Sequence, residues 1–229
     1  MAVARHIRRM IRSLKSLKTM LFLTVLLLAG VVIATTAVFT RAAASLEQPS
    51  YQVVASEGAI EIRRYEPMAA VEVTVTGTRG AATRKAFRIL FDYISGANEG
   101  SEKVSMTAPV RQETASQKIS MTAPVTQSAS ADGSWQVAFY LPSKYTAKTA
   151  PRPVDDRIKR ITVPGKEVAA ITFSGRWTDS NFERHLSELQ DYLARTGRTP
   201  SGPPVYAYFN DPFTLPPFRR NEVQVPLAR

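Results

Sequence analysis

Two stretches of this chain end alike, in DYI at 92–94 and DYL at 191–193, and each is followed within a few residues by glycine. The segments around them keep the same order. An alternating run, MAAVEVTVT at 68–76, precedes a helix predicted over 80–95; KEVAAITFSG at 166–175 precedes a second helix over 179–195, followed by VYAYFN at 205–210 and NEVQVPL at 221–227. Other strand patterns fall at 51–55, 60–64, 135–141 and 157–163, with a Pro-rich loop at 142–154. A chain that writes strand, helix, strand, strand twice must bury two one-faced helices on shared sheet. The expected fold is therefore α+β: a distorted antiparallel β-barrel of two βαββ repeats with two flanking helices.

Within the first repeat, KVSMTAPV at 103–110 recurs as KISMTAPV at 118–125. In each copy the alternate set (Val104, Met106, Ala108, Val110; Ile119, Met121, Ala123, Val125) is apolar and the other set polar or Pro. That is the pattern of a half-buried strand, with Pro favouring a strand end or sheet edge. Met106 and Met121 read as core rather than as metal ligands.

The helices differ in one respect. In the second, Phe182, Leu186, Leu189 and Leu193 form one stripe, with charged residues elsewhere. Superposing the DYI and DYL ends matches Phe87 to Leu186, Leu90 to Leu189 and Ile94 to Leu193, but leaves Ile89 and Phe91 where the second helix has Glu188 and Gln190. This surplus apolar surface is either covered by a strand or the Pro-rich loop, or lines a groove with Arg84 at its rim. An apolar wall with a cation at its edge suits a flat hydrophobic ligand bearing carboxylates.

The first 50 residues follow different rules. Residues 20–40 (MLFLTVLLLAGVVIATTAVFT) carry no charge and are preceded by Arg5, Arg8, Arg9, Arg12, Lys15 and Lys18. This reads as a basic cytoplasmic segment (1–19), one N-terminal transmembrane helix (20–40), a tether (41–50) and an exported domain (51–229). The predicted location is the cell inner membrane, single-pass, with the N-terminus cytoplasmic and the domain periplasmic. An alternative is cleavage near Ala44, after the A-x-A-like run 42–44, which would release the domain to the periplasm. The net charge of +11 is mostly topological, since seven of the 30 basic residues lie within the first 41 positions and the remainder is 23 basic against 19 acidic. Nucleic acid is not an expected partner.

Little points to catalysis. The chain has no cysteine, and its only histidines are His6, on the cytoplasmic side, and His185, flanked by Arg184 and Glu183 on the second helix. No nucleophile elbow, P-loop or paired-histidine metal site is present in the sequence. A non-enzymatic binding protein is expected.

From 51 to 227 the chain resembles the SOUL family of haem-binding proteins. The matching stretches are IEIRRYEP at 60–67, FDYISGANEGSEKVSMTAPV at 91–110, FYLPSKY at 139–145, PRPVDD at 151–156 and RRNEV at 219–223. The resemblance implies the duplicated barrel, haem or a related tetrapyrrole as ligand, and a binding groove beside the first helix. It places the propionate-binding Arg at Arg84 and the apolar pocket positions at Phe87, Leu90 and Phe91. Two further basic positions of the family become Asp92 and Leu215, and the histidine proposed as an axial ligand in another branch has no counterpart, so haem is expected without a His axial ligand. The fold is also similar to that of effector-binding domains for drug-like molecules, some relatives of which are hydrolases. That is the alternative function.

Overall fold

Nine strands form one antiparallel sheet, in the order β1 (Tyr51–Glu57), β2 (Ile60–Tyr65), β9 (Glu167–Phe173), β11 (Asn221–Pro226), β10 (Val205–Tyr208), β5 (Val125–Ala129), β6 (Trp135–Tyr140), β3 (Met68–Val75) and β8 (Lys159–Val163). The computed structural model describes residues 46–99 and 116–228. The basic segment, the apolar run at 20–40 and the first octapeptide copy lie outside the described residues. Among the described residues no helix is long and apolar enough to cross a membrane. Residues 45–229 form a compact unit of their own.

The first half contains β1 (Tyr51–Glu57), β2 (Ile60–Tyr65), β3 (Met68–Val75), α1 (Arg79–Ser95), β5 (Val125–Ala129) and β6 (Trp135–Tyr140). The second contains β8 (Lys159–Val163), β9 (Glu167–Phe173), α2 (Asp179–Arg195), β10 (Val205–Tyr208) and β11 (Asn221–Pro226). A two-residue pair, β4 (Asn98–Glu99) with β7 (Arg152–Pro153), stands apart. The duplication is therefore real: β3-α1-β5-β6 and β9-α2-β10-β11 repeat one order. In space the repeats meet at β5 and β10. Each half also lends a strand to the other, because β2, which leads into β3, pairs with β9, while β8, which leads into β9, pairs with β3.

The sheet keeps two edges, β1 and β8. The expected barrel is accordingly a curled half-barrel, open rather than closed. Both helices pack on one face, α1 on β3 and β6 and α2 on β9 and β11. The matched stripes are buried as their period requires: Leu90 and Leu189 are fully covered, and Ile94 and Leu193 nearly so. Thr178 caps α2 by accepting from the Asn181 N–H at 3.3 Å. α1 stops at Gly96, whose φ of 125° lies in the region that favours glycine.

The second octapeptide copy departs from expectation. Ile119 and Ala123 are buried, yet the strand begins only at Val125. Thr122 makes an isolated parallel bridge to Glu47, whose carbonyl takes the Ala123 N–H at 3.0 Å. Pro124 has no N–H to give, so ladder pairing starts after it. The strand itself, VTQSA, reads as polar.

At the centre the two helix N-termini meet. Arg79 Nε donates to Asp179 Oδ1 at 2.7 Å and Arg79 Nη1 donates to the Tyr208 hydroxyl at 2.8 Å. The guanidinium lies 4.4 Å from the Phe182 ring centroid. The first residue of each helix thus ties the two halves together.

Candidate functional site

Arg84, Phe87, Arg88 and Phe91 are spaced i, i+3, i+4 and i+7, which places them along one side of α1. Phe87 is half-buried, with its ring edge-on to Phe139 of β6 at 5.3 Å. Phe91 stacks on Phe87 at 5.8 Å, 13° from parallel, and stays 44% exposed. One ring is anchored in the core and the second is held against it, so two aromatic faces continue the core outward to solvent. Arg84 is exposed and its guanidinium runs back along the helix, with Nη1 3.6 Å from where a Cβ at Gly80 would stand.

Leu90 is placed differently from its neighbours. It has no exposed surface and belongs to the core beneath α1, the position Leu189 holds in α2. The Pro-rich stretch leaves Phe91 44% exposed. It lies at the C-terminal end of α1, where the Pro151 carbonyl accepts from the Tyr93 hydroxyl at 2.8 Å and Val154 N–H reaches the Ala97 carbonyl at 3.5 Å. Burial pushes the Tyr93 phenol up to about 12, so it donates at any physiological pH. Arg88 escaped the sequence reading although it is exposed one turn beyond Arg84. Its signal was the RKAFR spacing.

The opposite face of the sheet holds a buried polar network. By register, Glu61, Ala170 and Gln224 lie in one row across β2, β9 and β11, with Arg63 in the row to one side and Glu222 in the row to the other. Across the small Ala170, Arg63 Nη1 donates to Glu222 Oε2 at 2.7 Å. Glu222 also accepts from Arg220 Nη2 at 2.6 Å, from Gln224 Nε2 at 2.8 Å and from the Thr172 hydroxyl at 3.3 Å. Burial alone would raise the Glu222 carboxyl, but Arg63 and Arg220 outweigh it and hold the group below the ordinary carboxylate range. The Arg63 guanidinium sits over the Tyr51 ring at 4.5 Å. The carboxylate is therefore a counter-ion with its oxygens already engaged, unsuited to act as a general base.

Beside this network, and lined by Glu47, Met68, Thr122, Tyr140, Leu141 and Tyr145 among others, is a cleft of about 530 Å³. It contains no residue of α1.

His185 is built into packing. Its ring stacks on Phe173 at 3.8 Å and 8° from parallel, and its Nδ1 lies 2.6 Å from the Asn181 carbonyl, which can only accept, so Nδ1 carries the proton. Met121 is half-buried against the core. Among the described residues no three His, Cys, Asp or Glu side chains are grouped to hold a metal ion.

Residues 46–226 match the family described as SOUL heme-binding protein, a span that takes in both partners of the Arg63–Glu222 pair. The chain belongs to that family. A curated relative, heme-binding protein 1 of Mus musculus, is 28% identical over 181 residues, covering 77% of this chain and 84% of the mouse protein. Among solved structures, a hydrolase from Listeria innocua aligns with a TM-score of 0.51 at 15% identity, over 76% of this chain and 94% of that one. The EcmrR C-terminal domain aligns with a TM-score of 0.51 at 12% identity, over 78% and 98%. At such identities the two structures speak for the fold alone. In this SOUL protein the motifs at either end of the domain, IEIRRYEP and RRNEV, are brought to the two sides of β9 by the strand order.

Proposed function

We propose that this SOUL protein binds haem or a related tetrapyrrole against the outer side of α1. The observation that carries the reading is the Phe87–Phe91 stack, anchored on Phe139 and left open to solvent. A tetrapyrrole supplies a wide flat apolar face and peripheral carboxylates. Phe87 and Phe91 would take the face, Arg84 and Arg88 the carboxylates, and Leu90 would support the wall from beneath. The packing of His185 favours a ring held without a His axial ligand. We assign the protein to the inner membrane, anchored through residues 20–40 with its domain in the periplasm, or released there by cleavage near Ala44. Its role in this reading is buffering, transport or transfer of the tetrapyrrole, without catalysis and without nucleic acid.

An absorbance titration of the 45–229 fragment with haemin and metal-free protoporphyrin tests this. Both should bind, within about tenfold of each other, a gap of roughly 1.4 kcal/mol. Absence of a Soret shift with either would reject the proposal.

The cleft of about 530 Å³, which no residue of α1 or α2 lines, favours a second reading, a small-molecule binding module or hydrolase of the same fold. Under it, Tyr140→Trp would fill the cleft and abolish ligand binding while Phe91→Gln would not. The tetrapyrrole reading expects the reverse.

A further inference from the structure

The loop between β10 and β11 displays apolar side chains that the fold does not use. Phe213 is 82% exposed, Phe218 54% and Leu215 46%. The loop is nevertheless built. Asp211 accepts from the Phe213 N–H at 2.7 Å and the Thr214 N–H at 3.0 Å. Arg219 donates to the carbonyls of Thr214 at 2.7 Å and Pro212 at 2.9 Å, and its guanidinium lies 4.1 Å from the Trp177 ring centroid. Gly175 N–H holds the Pro216 carbonyl at 2.8 Å. Such bonding fixes three large apolar groups in water, where each forgoes the gain of burial.

The base of the loop is where the described chain begins. Leu46 packs on the cluster of Ala123, Ala207 and Phe209. Arg220 Nη1 donates to Gln48 Oε1 at 3.2 Å, and Arg220 N–H to Asn210 Oδ1 at 2.6 Å. Upstream, five residues (41–45) separate Leu46 from the charge-free run at 20–40. Extended, that link reaches no more than about 20 Å. The link therefore enters the described domain at the base of the loop.

We propose that loop 210–219 is a second membrane contact, seating Phe213, Leu215 and Phe218 in the headgroup region of the bilayer. The proposal rests on the reading of residues 20–40 as a membrane anchor. The exposed Arg176, next to Trp177, gives the patch a cationic rim that suits anionic phospholipid. The contact would fix which side of the domain faces the periplasm.

Because the chain has no cysteine, a single one reports locally. Full-length Phe213→Cys, which keeps Leu215 and Phe218, is labelled with an environment-sensitive fluorophore and reconstituted in phosphatidylethanolamine–phosphatidylglycerol vesicles. Ala131→Cys is the control. It lies in the exposed β5–β6 turn, at the end of the β5–β10 ladder away from the loop, since Val205 pairs with Ser128 and Tyr208 with Val125. The label at 213 should shift to the blue and be quenched by spin-labelled lipid, and the label at 131 should do neither. A chain that floats with the vesicles but shows no quenching at 213 overturns the loop contact and leaves the anchor standing. A chain that does not float overturns both. A blue shift in lipid-free detergent that grows with protein concentration would give the patch to a second copy, and one that appears only with haemin would give it to the tetrapyrrole. Either result would also overturn the membrane contact.

Discussion

Arg63 and Glu222, 159 positions apart, meet at 2.7 Å across β9 with almost no solvent exposure on either side chain. One comes from IEIRRYEP and the other from RRNEV, so the pair explains physically why this chain carries both motifs. Removing Arg63 leaves the buried Glu222 carboxylate with Arg220 as its remaining cationic partner, so the cost is expected at about 3 kcal/mol, the low end for breaking a buried pair. Arg63→Met is expected to lower the unfolding free energy by that amount, read as a lower urea midpoint at unchanged m-value, and Arg63→Met with Glu222→Leu to recover much of it. Equal loss in the single and double variants would show that the lost stability belongs to the pair itself and not to an orphaned charge.

Acid should probe the same site. Glu222 has a folded-state carboxyl below its unfolded value, near 4.3. Below the unfolded value the unfolded chain binds the proton first, so this contribution is present above about pH 4.3 and is lost as pH falls through the folded value. Stability measured from pH 6 downward should fall in that range. The Glu222→Gln variant, less stable throughout, should show a shallower acid limb.

Phe91 projects where α2 has Gln190. Phe91→Gln should therefore change unfolding free energy by no more than about 0.5 kcal/mol. It should weaken tetrapyrrole binding by roughly tenfold, about 1.4 kcal/mol. Phe87→Ala should weaken binding and also destabilise the fold, because that ring contacts Phe139. Unchanged haemin affinity in Phe91→Gln would place the ligand elsewhere.

His185 offers a sharp test of ligation. With its Nδ1 proton directed at the Asn181 carbonyl and its ring on Phe173, the imidazole is engaged in holding α2 to β9. His185→Ala should reduce stability while leaving the haemin Soret band in place. Loss of haemin binding with protoporphyrin binding retained would instead identify an axial ligand.

Topology is accessible to protease. If residues 20–40 anchor the chain, protease added to intact spheroplasts should degrade the domain. Protection until lysis would refute a periplasmic domain.

The helices and most strands were legible because their periods are plain: Leu90 and Leu189 lie on matched stripes, and comparing the helices singled out Phe91. β5 was not legible as a strand. Its Gln127 is fully buried only because Nε2 donates to the Arg79 carbonyl at 3.0 Å and Oε1 accepts from the Thr83 hydroxyl at 2.7 Å, partners on a distant helix. Arg63 was invisible for the same reason. An arginine in an alternating strand reads as solvent-facing until the strand order brings a carboxylate to it. Arg79 needed α2 in place before its meeting with Asp179 could be seen.

The exchange of β2 and β8 between the halves makes this chain the covalent form of a strand-swapped dimer. A fragment ending near residue 154 keeps β2 without β9, and one starting there keeps β8 without β3, so each carries an unpaired edge that only the other completes. Two such fragments, each insoluble or unfolded when expressed alone, should reassemble into one domain when produced together. Soluble, folded fragments made singly would mean that the exchanged strands are ornaments on two self-sufficient halves.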